Sequence, residues 1–213
     1  MIMNVFEMVI TCIIYINPIV SIFILCWVYQ GYLYRKNKGL GRKVILKHFL
    51  WVDVFLLYIA LMFDVAGSGT IWDIGKYPTI IRFDEILITP FSSDGILTYL
   101  LNIIMFMPFG FLIPVTWEKY QSIKKTGLLG FSLSLYIELT QLLNKRKTDI
   151  DDLMMNVLGT LIGFGIFYIW NKRFSRRKAK LKLECEDAIM YLVFAALGRL
   201  LLYNWRFWVS ILM

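Results

Sequence analysis

The chain has 213 residues, of which 59% are hydrophobic and only 18% are charged, and its formal net charge is +8. Soluble domains have roughly 45–50% apolar and about 25% charged residues, so this composition excludes an ordinary soluble globular protein. A transmembrane β-barrel is excluded as well, because no segments of about ten residues alternate apolar and polar side chains. The sequence therefore predicts an all-α fold, a polytopic bundle of transmembrane helices.

Five segments approach the roughly 20 apolar residues that a helix needs to cross a bilayer. They are predicted at residues 8–34, 48–66, 96–117, 127–143 and 153–170. The first lacks the basic start and cleavage site of a removable signal peptide, so we expect a retained span. The apolar stretch 188–213 carries Arg199 and Arg206 and is either a sixth span, which we favour, or a helix lying on the membrane surface.

These segments group into three parts. Residues 1–70 form an N-terminal two-helix membrane segment whose connecting loop is basic. Residues 75–170 form a central membrane domain of three helices. Residues 171–213 form a basic stretch followed by the last apolar helix.

Lysine and arginine are distributed unevenly between alternate loops. Loops 35–47 and 118–126 and the stretch 172–182 hold 16 basic residues, whereas loops 67–95 and 144–152 hold 5. Because basic loops stay in the cytoplasm, the sequence predicts that the N-terminus lies outside. The basic loops are also predicted to attract the anionic headgroups of the inner leaflet. No recognised module with stacking aromatic residues accompanies them, so nucleic acid is not a predicted partner.

The fourth segment carries a polar face. Ser134, Glu138 and Gln141 are spaced by four and three residues, so they lie on one side of an otherwise apolar helix. Charged side chains are costly in hydrocarbon, and this face is therefore predicted to turn into the bundle or toward water. A buried Glu138 needs a proton or a cationic partner, and Arg82 or Arg146 could supply the latter.

The fifth segment carries a matching stripe. Asp152, Asn156, Gly159 and Gly163 share one face, which carries polar residues near the preceding loop and small residues further along the helix. The two glycines form a G-x-x-x-G pattern, which favours close packing of membrane helices, and the fourth helix is the expected partner. Since the two helices form a hairpin, Glu138 and Asp152 are expected at a similar depth.

Other residues give weaker signals. Asn102 lies near the start of the third segment, which also contains Pro108 and Gly110. His48 is the only histidine and has no carboxylate or cysteine partner in its sequence pattern, so the sequence predicts no metal site and no cofactor.

Several runs of sequence resemble the VanZ-like family of bacterial membrane proteins. They are NIIMFMPFGFLIP from Asn102, GFSLSLYIELTQ from Gly130, KRKTDIDDLMMNVLGTLIGF from Lys145, and an upstream Pro90 and Phe91 pair. The resemblance covers roughly residues 75–170. It implies a multi-helix domain of the bacterial plasma membrane, in a family associated with low-level resistance to the glycopeptide teicoplanin, and it implies no established reaction.

The positions that match the family's motifs include polar and small residues, and we separate them by expected role. The predicted ligand-binding residues are Asn102, Glu138, Gln141, Arg146, Asp149, Asp152 and Asn156. The predicted structural residues are Pro108, Gly110 and Gly159, to which the G-x-x-x-G pattern adds Gly163.

The leading hypothesis is a polar pocket at the outer leaflet that binds an amphiphile and contributes to glycopeptide tolerance. A membrane lipid, a lipid-linked wall precursor or a lipidated glycopeptide would present phosphate or carboxylate groups to Arg146. One alternative is an enzyme that modifies such a lipid with Glu138 and Asp152 as acid and base. Another is a purely structural or assembly bundle. The sequence predicts no particular oligomeric state.

Overall fold

The computed structural model describes the backbone of residues 5–76, 86–87, 89–91, 95–144, 148–174, 183 and 186–204, with most side chains from residue 16 onward. Within these ranges lie six α-helices, α1 (Val5–Lys36), α2 (Arg42–Ala66), α3 (Ile96–Thr116), α4 (Ile123–Gln141), α5 (Ile150–Phe174) and α6 (Ala188–Leu197). A π-helical segment, Gly198–Leu202, continues α6. Each predicted segment coincides with one helix, and the predicted all-α bundle is confirmed.

Four helices, α1, α2, α3 and α5, are long and apolar enough to cross a membrane. The fifth predicted span corresponds to α4, which has 19 residues and is therefore about 28 Å long. It connects the end of α3 to the start of α5. Because α3 and α5 run in the same direction, α4 returns across the same thickness.

Glycines bring α3 and α5 into parallel backbone contact. A Cβ atom at Gly159 would lie 2.3 Å from the carbonyl oxygen of Ile103. One turn further along both helices, a Cβ atom at Gly163 would lie 2.0 Å from the carbonyl oxygen of Met107. Any side chain at either position would force the two helices apart. The close packing expected from the G-x-x-x-G pattern is therefore present.

The partner of this pattern differs from the expected one, because Gly159 and Gly163 face α3 and not α4. The contact is reciprocal, since a Cβ atom at Gly110 of α3 would lie 1.9 Å from the carbonyl oxygen of Thr160. The approach of α4 to α5 uses a different glycine, Gly130, which lies against the Thr160 side chain. Two neighbouring helices thus converge on Thr160 of α5.

The C-terminal helix α6 packs antiparallel against α1. The thiol of Cys26 lies 3.8 Å from the carbonyl oxygen of Tyr191, and the two aromatic rings of Tyr29 and Tyr191 are 5.0 Å apart. Further along α6, Gly198 lies against the backbone of Ser21. This contact leaves Tyr191 fully buried in the bundle.

Two acidic residues before α6 fix its start to α2 and to the loop between α3 and α4. Glu186 pairs with His48 at 2.7 Å, and Asp187 pairs with Lys119 and accepts a hydrogen bond from Tyr120. Burial raises the pKa of Asp187, but the hydrogen bonds from Lys119 and Tyr120 outweigh it and hold the pKa below its usual value. This carboxylate is therefore charged at neutral pH.

Helix α6 and its π-helical continuation reach from one end of the bundle to the other. They begin beside Lys119 in the loop between α3 and α4. They end where the indole N–H of Trp72, just after α2, donates a 3.0 Å hydrogen bond to the carbonyl of Leu201. This placement favours the sixth span over a surface helix. Residues 205–213, with Arg206, lie outside the described part of the chain.

A short parallel pairing joins two loops at one end of the bundle. Strand β1 (Ile86–Leu87) pairs with strand β2 (Thr148–Asp149), with Leu87 opposite Asp149. This pairing connects the loop before α3 to the loop before α5. It is the only sheet within the described ranges.

Candidate ligand site

A cavity of about 390 Å³ lies among α2, α3, α4 and α5, at the end of the bundle where α3 and α5 begin. Small-molecule sites have volumes of roughly 300–1,000 Å³. Its lining consists of Val65, Ala66, Thr98, Leu101, Asn102, Ile104, Met105, Ile137, Glu138, Gln141, Asp152 and Asn156. The cavity thus brings together five of the seven predicted binding residues, which come from three different helices.

Glu138 is buried at the cavity wall, with 3% of its surface exposed. Its Oε2 accepts a 3.0 Å hydrogen bond from the backbone N–H of Asp149, and its carbonyl accepts one from the Thr148 hydroxyl. Glu138 therefore links α4 to the start of α5 and also faces the cavity. Its expected cationic partners, Arg82 and Arg146, lie outside the described residues.

Gln141 presents an acceptor with a fixed orientation. Its Nε2 donates a 2.9 Å hydrogen bond to the carbonyl of Ala66, the last residue of α2. Since a carbonyl can only accept, this bond determines which end of the amide carries the oxygen. The opposite atom, Oε1, is buried and has no donor among the described residues. A buried acceptor left unpaired costs about 1–3 kcal/mol, so this position favours a ligand that donates.

Asn156 and Asp152 extend the polar wall along α5. The Nδ2 atom of Asn156 lies 2.9 Å from the Ser134 hydroxyl, and its buried Oδ1 has no donor within the described ranges. Asp152, in the first turn of α5, accepts a hydrogen bond from Asn102. The positive end of the helix dipole at this turn stabilises the carboxylate. These contacts agree with the expectation that the stripes of α4 and α5 lie at one depth.

Asp149 does not line the cavity. It precedes α5, and its Oδ1 accepts a 2.9 Å hydrogen bond from the N–H of Asp151, as a helix-capping carboxylate does. Its own N–H is the group that bonds Glu138. Asp149 therefore holds Glu138 in position from outside the cavity, and its predicted ligand-binding role stays a prediction. The remaining predicted residue, Arg146, lies outside the described residues.

Sequence reasoning missed the role of Asp151. Its side chain is fully buried, and its two oxygens accept hydrogen bonds of 2.8 Å from the N–H of Phe91 and the hydroxyl of Tyr99. Phe91 has a φ of 60°, a left-handed conformation that non-glycine residues rarely adopt. Asp151 thus holds the loop before α3 against α5. The sequence signal for this contact was the Pro90 and Phe91 pair, but the pair did not indicate that Phe91 bonds Asp151.

The side of the cavity between α2 and α3 is apolar and exposed. Val65, Leu101 and Ile104 line this side and are more than half exposed. The opposite wall carries the carboxylates and amides of α4 and α5. In a membrane, the apolar mouth would face lipid chains while the wall behind it stays polar. Within the described ranges, no group of three or more His, Cys, Asp or Glu residues is placed to hold a metal ion.

Comparison with known proteins agrees with this architecture. A sequence model of the VanZ/LLP1 family matches residues 21–171, which include the second half of α1 and all of α2 in addition to α3, α4 and most of α5. The chain is also 30% identical over 93 residues to the protein VanZ of Enterococcus faecium. This match covers 43% of the chain and 57% of that relative, less than two thirds of its length. No solved structure matches the chain.

Proposed function

Since the chain belongs to the VanZ/LLP1 family, as the match over residues 21–171 shows, we propose that it is an envelope protein whose cavity binds the headgroup of an amphiphile. The observation that carries this proposal is the convergence of Asn102, Glu138, Gln141, Asp152 and Asn156 on one cavity. Two buried amide oxygens on its wall, those of Gln141 and Asn156, have no donor among the described residues and are available to accept hydrogen bonds from a ligand.

The cavity's shape supports an amphiphile over a fully polar ligand. Its mouth is apolar and exposed at Val65, Leu101 and Ile104, so an acyl chain can extend into the surrounding membrane. The polar wall can then contact the headgroup. The resemblance to the VanZ-like family, which is associated with teicoplanin resistance, leads us to include a contribution to glycopeptide tolerance in the proposal.

We further propose that the protein resides in the bacterial plasma membrane with its N-terminus outside, which places the cavity at the outer leaflet. The cavity lies at the end of the bundle opposite the basic loops 35–47 and 118–126. Basic loops favour the cytoplasmic side, where anionic headgroups of the inner leaflet can contact them.

Cysteine labelling tests this orientation. Lys38 and Lys76 are both exposed and lie in loops at opposite ends of the bundle. In a variant without the native cysteines, we expect an impermeant maleimide to label Lys76→Cys in intact cells, and Lys38→Cys only after permeabilisation. The reverse pattern would contradict the proposed orientation.

Lipid analysis tests the binding itself. We expect protein purified in mild detergent to retain one lipid class well above its share of the membrane from which it was extracted. Mass spectrometry of the protein and of that membrane measures the enrichment. Retained lipids that simply mirror the bulk membrane would contradict the binding proposal.

An enzyme is the second candidate, because the two carboxylates of Glu138 and Asp152 line the same cavity. Carboxylates that share a site can take the roles of acid and base. The same mass spectrometry separates the two functions. A covalently altered lipid that is present only in membranes containing the protein would favour the enzyme.

A further inference from the structure

We propose that the headgroup bound in the cavity carries a primary ammonium group, so that the ligand is an amine-bearing amphiphile. This inference rests on the proposed function, because it specifies the ligand of the same cavity. Three observations carry it: the charge of the described lining, the direction of its unpaired hydrogen-bonding groups, and the position of the apolar mouth.

The described lining is acidic. It contains the carboxylates of Glu138 and Asp152 and no lysine, arginine or histidine. Asp149 and Asp151 lie directly behind it, where the N–H of Asp149 bonds Glu138. A headgroup whose only charged group is a phosphate or carboxylate would meet like charges here, whereas an ammonium group would be attracted. The charge of the described lining therefore favours a cationic ligand, and the predicted binding role of Arg146, which lies outside the described residues, stays a prediction.

The hydrogen-bonding groups of the cavity wall also favour a ligand that donates hydrogen bonds. The Oε1 of Gln141 and the Oδ1 of Asn156 are both more than nine-tenths buried and without a donor in the described part of the chain, although the Ser134 hydroxyl that bonds Asn156 fits either orientation of its amide. The bond from Gln141 to Ala66 fixes the first of these oxygens in its orientation. A primary ammonium has three N–H donors and no acceptor, which complements carboxylate and amide oxygens. A phosphate offers only acceptors, and a quaternary ammonium offers no donor.

The position of the mouth makes the ligand an amphiphile and not a free amine. The acceptors of Gln141 and Asn156 share one cavity with exposed apolar residues at Val65 and Ile104. A volume of about 390 Å³ suits a small headgroup. The acyl chains would leave sideways between α2 and α3.

A lipid series with identical acyl chains tests the inference on the full-length protein in detergent. The probes are phosphatidylethanolamine, its N-acetylated derivative, which lacks the positive charge, and phosphatidylglycerol. We expect phosphatidylethanolamine to stabilise the protein against thermal unfolding at a concentration at least about ten-fold lower than the other two, because charge-assisted hydrogen bonds are stronger than neutral ones. The Glu138→Gln variant should lose this preference, and the control Glu118→Gln, exposed at the opposite end, should keep it.

The outcomes separate this inference from the proposal on which it rests. Equal binding of the N-acetylated lipid, or tighter binding of phosphatidylglycerol, would overturn the amine inference; if that binding still depends on Glu138, the cavity remains a lipid site. If no lipid binds in a manner that depends on Glu138, both proposals fail. Should Glu138→Gln not fold, Asp152→Asn removes the other carboxylate of the lining and provides the same test.

Discussion

Replacing Glu138 with glutamine should leave the protein folded and strongly reduce its ligand retention. The Oε2 of Glu138 accepts a hydrogen bond from the N–H of Asp149, and a glutamine oxygen can accept the same bond. We therefore expect a melting temperature within about 3 °C of the wild type, equivalent to roughly 1 kcal/mol for a chain of this size. The charge presented to the ligand is lost, and retention should fall about ten-fold or more.

Two measurements check this expectation, the lipid retained by the purified protein and the teicoplanin tolerance of cells that produce it. The matched control is Glu118→Gln, because Glu118 is exposed in the loop between α3 and α4 and the change removes the same charge. A Glu138→Gln protein that is normally expressed and fully active would assign the carboxylate a structural role, that of joining α4 to α5.

Replacing Gly159 with leucine should remove most of the folded protein. Even a single Cβ atom at this position would lie 2.3 Å from the carbonyl oxygen of Ile103, so α3 and α5 must separate to admit a side chain. Overpacking of a well-packed core typically costs about 1–3 kcal/mol, and a clash with backbone cannot be relieved by a change of rotamer, so we expect about 3 kcal/mol or more. The measurements are the yield of monodisperse protein and its melting temperature in detergent.

Gly165 provides the matched control on the same helix. A Cβ atom there meets nothing within 4 Å, so Gly165→Leu makes the same chemical change without a clash. We expect this variant to be as stable as the wild type or slightly more stable, because leucine favours helices more than glycine does. Equal losses in Gly159→Leu and Gly165→Leu would show that the helix contact is not responsible.

The sequence predicted most of the cavity because periodicity determines which residues share a helix face. Ser134, Glu138 and Gln141 are all buried on one face of α4, and Asn156 of α5 lies opposite them. Because a short loop joins the two helices, the sequence also predicted that both faces lie at the same depth in the membrane. The hydrogen bond between Asn156 and Ser134 agrees with this prediction.

Periodicity does not identify the neighbour that a face meets. Gly159 and Gly163 were expected to pack on the adjacent helix in sequence, but the parallel helix α3 fills that place. The pairing of His48 with Glu186 was missed for the same reason, since 138 residues separate the partners. The role of Asp151 was missed because its hydrogen-bond donors are a backbone N–H and a tyrosine hydroxyl, neither of which has a distinctive sequence pattern.

The packing of α6 on α1 has a consequence for the order of assembly during synthesis. Cys26 and Tyr191, which touch across this contact, are 165 residues apart. At about 5–20 residues per second, α1 waits on the order of ten to thirty seconds in the membrane before that partner is made. Its early contact is with α2, through the 2.9 Å hydrogen bond from Gln30 to Asp53, which is only 23 residues away. The bundle is therefore completed when a late helix docks onto the first one inserted.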